Sequence, residues 1–285
     1  MPRNWTGHTD GTPWMQRTLV RLFRYSPRWA IYAITAVVSF FYVPFRSYSR
    51  RAQMHFFRYC FKMNTWQALR YTIRNHYEFG KVVMDRFAAY AGRRFNIVFD
   101  DHEAFDRQCE QDGFLLLSSH MGNFEMSGYA LQPRRPIYAV SFAGDTQVVM
   151  EQRARQFAAH GISMIPVVEN DMGHVIAIHN ALERGDIVTV PGDRMFASER
   201  AIEGHMFGYR VRVPAGPFRL AQVTGKKMIA MWVMKDNRDT YRIYTAPIQD
   251  VQDYLNHIET LLKKYPTQWY QYFDFFDYDT PITAA

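Results

Sequence analysis

From about residue 95 onward, short apolar runs alternate with segments of helical period, and this alternation restricts the fold more than any other feature. The runs are Phe95–Phe99, Phe114–Ser118, Ile137–Phe142, Met164–Val167, Ile187–Val190, Met228–Met234 and Tyr241–Thr245, and each reads as a short buried strand. Thr146–His160, Met172–Arg184, Pro214–Thr224 and Val251–Lys264 read as helices between or after them. A longer helical pattern runs after Asn64 to about Tyr90, with apolar and aromatic residues at Trp66, Leu69, Ile73, Tyr77, Val82 and Phe87. The expected fold is therefore α/β: a mostly parallel mixed sheet flanked by helices, with an antiparallel edge. In such sheets ligands bind beyond the carboxyl ends of the strands.

One strand end carries chemistry. The stretch Leu115 to Gly128 reads LLLSSHMGNFEMSG, an apolar run that stops at His120 with Glu125 five positions later. Five residues turn an α-helix through roughly 500°, which leaves the two side chains about 140° apart, so a single helix would point them away from each other. Across a bend they can meet. Met121 and Gly122 supply the turn, and Asn123 is a good N-cap for a helix starting at Phe124. A carboxylate on one imidazole nitrogen fixes the tautomer and leaves the other nitrogen to take a proton. The alternative, a core histidine with a satisfied ring, stays open on spacing alone.

Other chemistries find less support. The chain has no GxSxG elbow, phosphate loop, GxGxxG or HExxH. Ser118 and Ser119 precede His120 directly, but neighbours in a strand face opposite ways, so a Ser/His pair is disfavoured. His160, His174, His179 and His205 show no metal-ligand spacing, and Cys60 and Cys109 form no short-spaced motif. No metal or redox cofactor is expected, and a reducing cytosolic setting fits.

Charge divides the chain. Of the net +7 over 285 residues, Gly11 to Tyr77 holds eleven Lys or Arg and no acidic residue, which leaves −4 elsewhere. Inside that basic window Trp29 to Phe45, WAIYAITAVVSFFYVPF, is uncharged. A signal peptide is disfavoured, because Arg17, Arg21, Arg24 and Arg28 precede the run and no small-residue cleavage site follows. A spanning helix would be short and would carry arginine on both flanks, against the one-sided rule. An interfacial or re-entrant helix satisfies both flanks, with Trp29, Tyr32, Phe41 and Tyr42 in the headgroup layer. A buried core helix is the remaining reading. The expected division is a basic membrane-associating segment, 1–62, and an α/β body, 63–285. Anionic lipid is the expected surface; nucleic acid is not, since phosphate contact does not call for an uncharged apolar centre.

SSHMGNFE resembles the HxxxxE block of the glycerolipid acyltransferase superfamily, and in particular the late acyltransferases of lipid A biosynthesis. The similarity continues through EQRARQ at Glu151, TVPGDRMF at Thr189, VPAGPFRLA at Val213 and YPTQWY at Tyr265. The resemblance implies a glycerol-3-phosphate acyltransferase-like fold at the cytoplasmic face of the inner membrane, monotopic or single-span. It implies transfer of a fatty acyl group from an acyl carrier protein thioester to a hydroxyl of a membrane lipid acceptor, with His120 as general base and Glu125 orienting it. Arg155 or its neighbour Arg153 would assist near the reacting carbonyl or the carrier's phosphopantetheine. Asn123, Asp193 and Arg194 are further candidates for substrate or oxyanion contact. Lipid A enzymes commonly read Pro-Asp-His-Asp where this chain has Pro191-Gly192-Asp193-Arg194. The departure leaves a lysophospholipid, aminolipid or polyene-pigment acceptor as an alternative, and a lipid-binding module as the non-enzymatic one. Tyr265 to Tyr270 reads as aromatic core, and the carrier would dock on the basic N-terminal face.

Overall fold

The computed structural model describes residues 13–45, 47–129, 135–142, 151, 154–155, 157–167, 173–195 and 200–281. All seven expected strands form, as β1 (Asn96–Phe99), β2 (Leu115–Ser118), β3 (Ile137–Phe142), β4 (Ile162–Val167), β5 (Ile187–Pro191), β8 (Met228–Lys235) and β9 (Thr240–Ile248). They make one sheet in the order β1-β9-β8-β2-β5-β3-β4. Every pairing is parallel except the β8–β9 hairpin. Successive residues of a strand face opposite sides, so β2 needs apolar residues throughout: Leu115 and Leu117 enter the core on one face, Phe114 and Leu116 that on the other.

Helices cover both faces. α8 (Val251–Lys264) has the expected bounds; Asp250 caps it by accepting from Asp253 N at 2.8 Å, and its apolar stripe lies in the first core. α4 (Thr65–Tyr90) starts at a reciprocal capping box between Asn64 and Gln67. α6 (Gly173–Glu183) and α7 (Gly216–Thr224) match expectation within two residues, and α5 (His102–Gln111) is an addition. The expected helix Thr146–His160 lies partly outside the described residues; Glu151, Ala154, Arg155 and 157–159 are helical. A second, antiparallel sheet of β6 (Ala201–Met206), β7 (Tyr209–Pro214) and β10 (Phe276–Pro281) was not expected.

The basic segment folds as α1 (Pro13–Tyr25), α2 (Arg28–Phe45) and α3 (Ser47–Tyr59). On α2 the residues Ile31, Tyr32, Thr35, Ser39 and Val43 recur at helical spacing and are buried, whereas Trp29, Ile34, Val37, Val38, Phe40, Phe41 and Phe45 are exposed. The buried side crosses α4 at Gly80, where a Cβ would lie 2.6 Å from Thr35 Cγ2 and 3.2 Å from Ser39 Oγ. α3 behaves differently: Phe56 and Phe57 sit in the main core, with Phe56 stacked on Phe276. α3 joins the α/β body, because two adjacent large aromatics leave it no solvent face on that side.

Candidate active site

Parallel pairing builds the site. In the β2–β5 register Ser118 stands opposite Pro191, so His120 and Asp193, each two residues further on, leave the sheet side by side. Gly192 N extends the ladder by donating to Ser118 O at 2.9 Å. Tyr254 of α8 donates its hydroxyl to the same carbonyl at 2.8 Å, and its ring lies 3.0 Å from where a Gly192 Cβ would be. A larger residue at 192 would displace the ring that fixes the strand end.

Asp193 holds His120 at two points. Its Oδ2 accepts from the His120 backbone N–H at 2.5 Å, and its Oδ1 accepts from the ring Nδ1 at 2.8 Å. A carboxylate accepts only, so Nδ1 carries the proton and Nε2 is left with its lone pair. The Asp193 side chain is fully buried, while a third of the His120 side chain is exposed. Burial pulls His120 below its ordinary value of 6.5 and the Arg194 charge adds to this, against the opposing pull of Asp193. Burial works against ionising Asp193, but His120 and Arg194 together hold its carboxyl below the usual range. At neutral pH the pair is a carboxylate beside a neutral imidazole.

The segment 267–271 closes the other side. Tyr270 N donates to His120 O at 2.9 Å, Gly122 N to Gln268 O at 3.0 Å, and Met121 bridges Trp269. Gly122 has φ +60°, and a Cβ there would fall 2.1 Å from Val233 O, so the turn after His120 requires glycine. Gln271 Nε2 donates to Asp193 Oδ2 at 2.6 Å, while Gln271 Oε1 accepts from Arg194 Nε at 2.7 Å. Arg194 Nη2 donates to Tyr270 O at 2.7 Å. Burial pushes the Arg194 guanidinium down to about 10, which leaves it charged at neutral pH.

The family model for bacterial lipid A biosynthesis acyltransferases matches residues 21–270 of this chain. The chain belongs to that family. No curated protein matches its sequence.

Within this acyltransferase, the remaining expected residues disperse. Glu125 does not reach His120. It lies on a 3₁₀ helix, Phe124–Tyr129, that turns its side chain toward α4, where Arg86 Nη1 approaches at 3.3 Å and the Tyr90 hydroxyl bonds it. The carboxylate on the ring is Asp193. Asn123 is not a side-chain cap either; it is buried and its Nδ2 donates to Val82 O and Tyr241 OH, both at 3.4 Å. Arg155 is exposed and shares no hydrogen bond with His120, Asp193 or Arg194. Arg153 lies outside the described residues. Trp269 and Tyr270 are buried, as the aromatic-core reading expects. Among the described residues no group of three His, Cys, Asp or Glu side chains is placed to hold a metal ion. Gln271 and Tyr254 were missed, and their only signal was nearness in sequence to aromatic and amphipathic runs.

Proposed function

We propose that this acyltransferase moves a fatty acyl group from an acyl carrier protein thioester to a hydroxyl of a membrane lipid of the lipid A precursor class, with His120 as the general base. The observation that carries the reading is the asymmetry of the ring: Nδ1 is committed to a buried carboxylate and Nε2 is not. The acceptor oxygen attacks the thioester carbonyl carbon as its proton passes to Nε2. A C–O bond forms, the tetrahedral oxyanion collapses, the C–S bond breaks, and the departing thiolate takes the proton back from the imidazolium. Asp193 is the positioning carboxylate that stabilises the imidazolium. Arg194 supports Asp193 through Gln271; with Nε and Nη2 engaged on Gln271 and Tyr270, that role fits it better than direct oxyanion contact. Glu125, held by Arg86 and Tyr90, is a second carboxylate beside the turn and a candidate for contact with substrate rather than with the ring. No metal or redox cofactor enters these steps.

Seating at the cytoplasmic face of the inner membrane is part of the proposal. α2 is long and apolar enough to cross a bilayer, and 29% of its apolar window is buried within the protein. Its outward aromatics, together with Trp14, Leu22 and Tyr25 of α1, are exposed between arginines. That arrangement suits anionic lipid, to which each nearby Lys or Arg contributes roughly 1 kcal/mol. The carrier protein, acidic as a class, would dock on the same basic side.

The test is transfer of a labelled acyl group from carrier thioester to a bacterial lipid extract, with identification of the product. A labelled lipid A precursor is expected, with a loss of about 10² to 10⁴-fold in His120→Ala at an unchanged melting temperature. A labelled lysophospholipid, aminolipid or pigment would replace the acceptor. Absence of transfer would leave a lipid-binding module, and a folded, fully active His120→Ala would make His120 a core histidine.

A further inference from the structure

Gln271 lies one residue past the matched stretch, and its side chain is buried between two groups of opposite demand. Asp193 can only accept and Arg194 can only donate, so the amide has one allowed orientation, Nε2 toward the carboxylate and Oε1 toward the guanidinium. Arg194 and Asp193 are adjacent in sequence, and a guanidinium in direct bidentate contact would take both carboxylate oxygens. That contact would compete with His120 for Oδ1. The inserted amide prevents it, passing the stabilising influence of the cation to Oδ2 and leaving Oδ1 for the ring.

The backbone of Gln271 is itself held from the N-terminal helices. Gln53 of α3, fully buried, donates from Nε2 to Gln271 O at 3.0 Å and to Trp269 O at 3.3 Å. Asn75 of α4, also fully buried, donates to Trp269 O at 2.7 Å and Thr267 O at 3.1 Å. Two amides thus brace the segment 267–271, whose Tyr270 and Gln271 bond to His120, Asp193 and Arg194.

We infer that Gln271 is a positioning residue: it is the spacer that keeps Arg194 off Asp193 so that Asp193 can hold His120. The inference rests on the reading of His120 as base. Gln271→Met preserves length without hydrogen-bonding groups, and Gln271→Glu preserves shape but replaces the donor to Asp193 with an acceptor. Each is expected to lower kcat by about 10 to 10²-fold, the effect of losing one hydrogen bond to a charged group, with KM within about twofold. The discriminating variant is the double change Gln271→Met with Arg194→Met. If the cation captures Asp193 once the spacer is gone, removing the cation must restore part of the kcat lost in Gln271→Met. A packing role predicts a double variant no better than the single. Wild-type kcat in both single variants, a double variant no more active than Gln271→Met, or losses matched only by a fall in melting temperature overturns the inference. His120→Ala in the same assay separates the two failures: if it is inactive while the Gln271 variants are unaffected, only the spacer fails, and if it is active, the base reading fails first.

Discussion

Two buried aspartates in this acyltransferase are built from the same parts and end in opposite uses. Asp85 of α4 accepts from Lys235 Nζ and from the Tyr241 and Tyr32 hydroxyls, each at 2.5 Å. Lys235 is itself only 3% exposed and also donates to Arg238 O. These groups join α2, α4, β8 and β9, and all four residues are buried. Burial pushes Lys235 below its ordinary value even though Asp85 pulls the other way, and it raises the Tyr32 and Tyr241 hydroxyls. Asp193 is as deeply buried and as fully bonded, but its partner ring has one nitrogen to spare and a third of its side chain is exposed. Burial and strong bonding make a rivet in one region and hold the proposed base in the other. The deciding difference is the free atom on the partner.

Asp193→Asn breaks the comparison most directly. An amide cannot stabilise the imidazolium, so kcat/KM should fall on the order of 10³ to 10⁴-fold in protein that still folds; full activity in acyl-transfer kinetics would return the orienting role to another group. Asp85→Ala should act on the other observable. It leaves Lys235 buried without its partner and should cost about 3–5 kcal/mol in denaturant unfolding, whereas Asp85→Leu with Lys235→Met should recover most of that. Stability unchanged in Asp85→Ala would mean that the four-element junction is not a rivet.

Smaller effects sharpen the contrast. Glu125→Gln leaves Arg86 without its charged partner and should cost about 10 to 10²-fold in activity. The acid limb of its pH–rate profile should stay in place, because Glu125 does not touch the ring; a moved limb would return Glu125 to the imidazole. In the parent protein the limb should lie below 6.5, since burial and Arg194 favour neutral His120. Asp193→Asn should move the residual limb lower still, because the attraction that raises the imidazole value is lost. Stability follows the same signs. Between 6.5 and the lowered folded value of His120 the unfolded chain binds the proton that the folded one refuses, so stability falls as pH drops through that window. The Asp193 contribution is complete above 3.8 and is lost as pH falls through its lowered value.

What could be read from sequence follows the range of the interactions. The strands and α8 were legible because burial on both faces, or an amphipathic stripe with an aspartate cap, is written locally. The β6–β7 hairpin was hidden by its turn: Phe207 and Gly208 take φ of +54° and +79°, at a place where Asn-Gly is the usual signal. Phe207 is kept for its ring, which packs on Phe56, Phe61 and Phe276. His120 was found from its place at a strand end. The contact of its ring with Asp193 was not legible, because the Glu125 spacing is local, whereas Asp193 becomes a neighbour only once β5 pairs with β2, and no spacing in the chain encodes strand order. Gln271 was invisible for the same reason.

The brace from Gln53 to Gln271 spans 218 positions. Chains are made from the amino end, so the arginine-flanked helices and α3 leave the ribosome long before the segment that completes the site. A nascent chain that has not yet extended to Gln271 has its N-terminal helices and His120, but neither the amide that bonds Asp193 nor the carbonyl that α3 grips. If the N-terminal helices seat on the membrane as proposed, delivery there precedes competence for transfer, and a chain truncated near its carboxyl end should bind liposomes without transferring acyl groups.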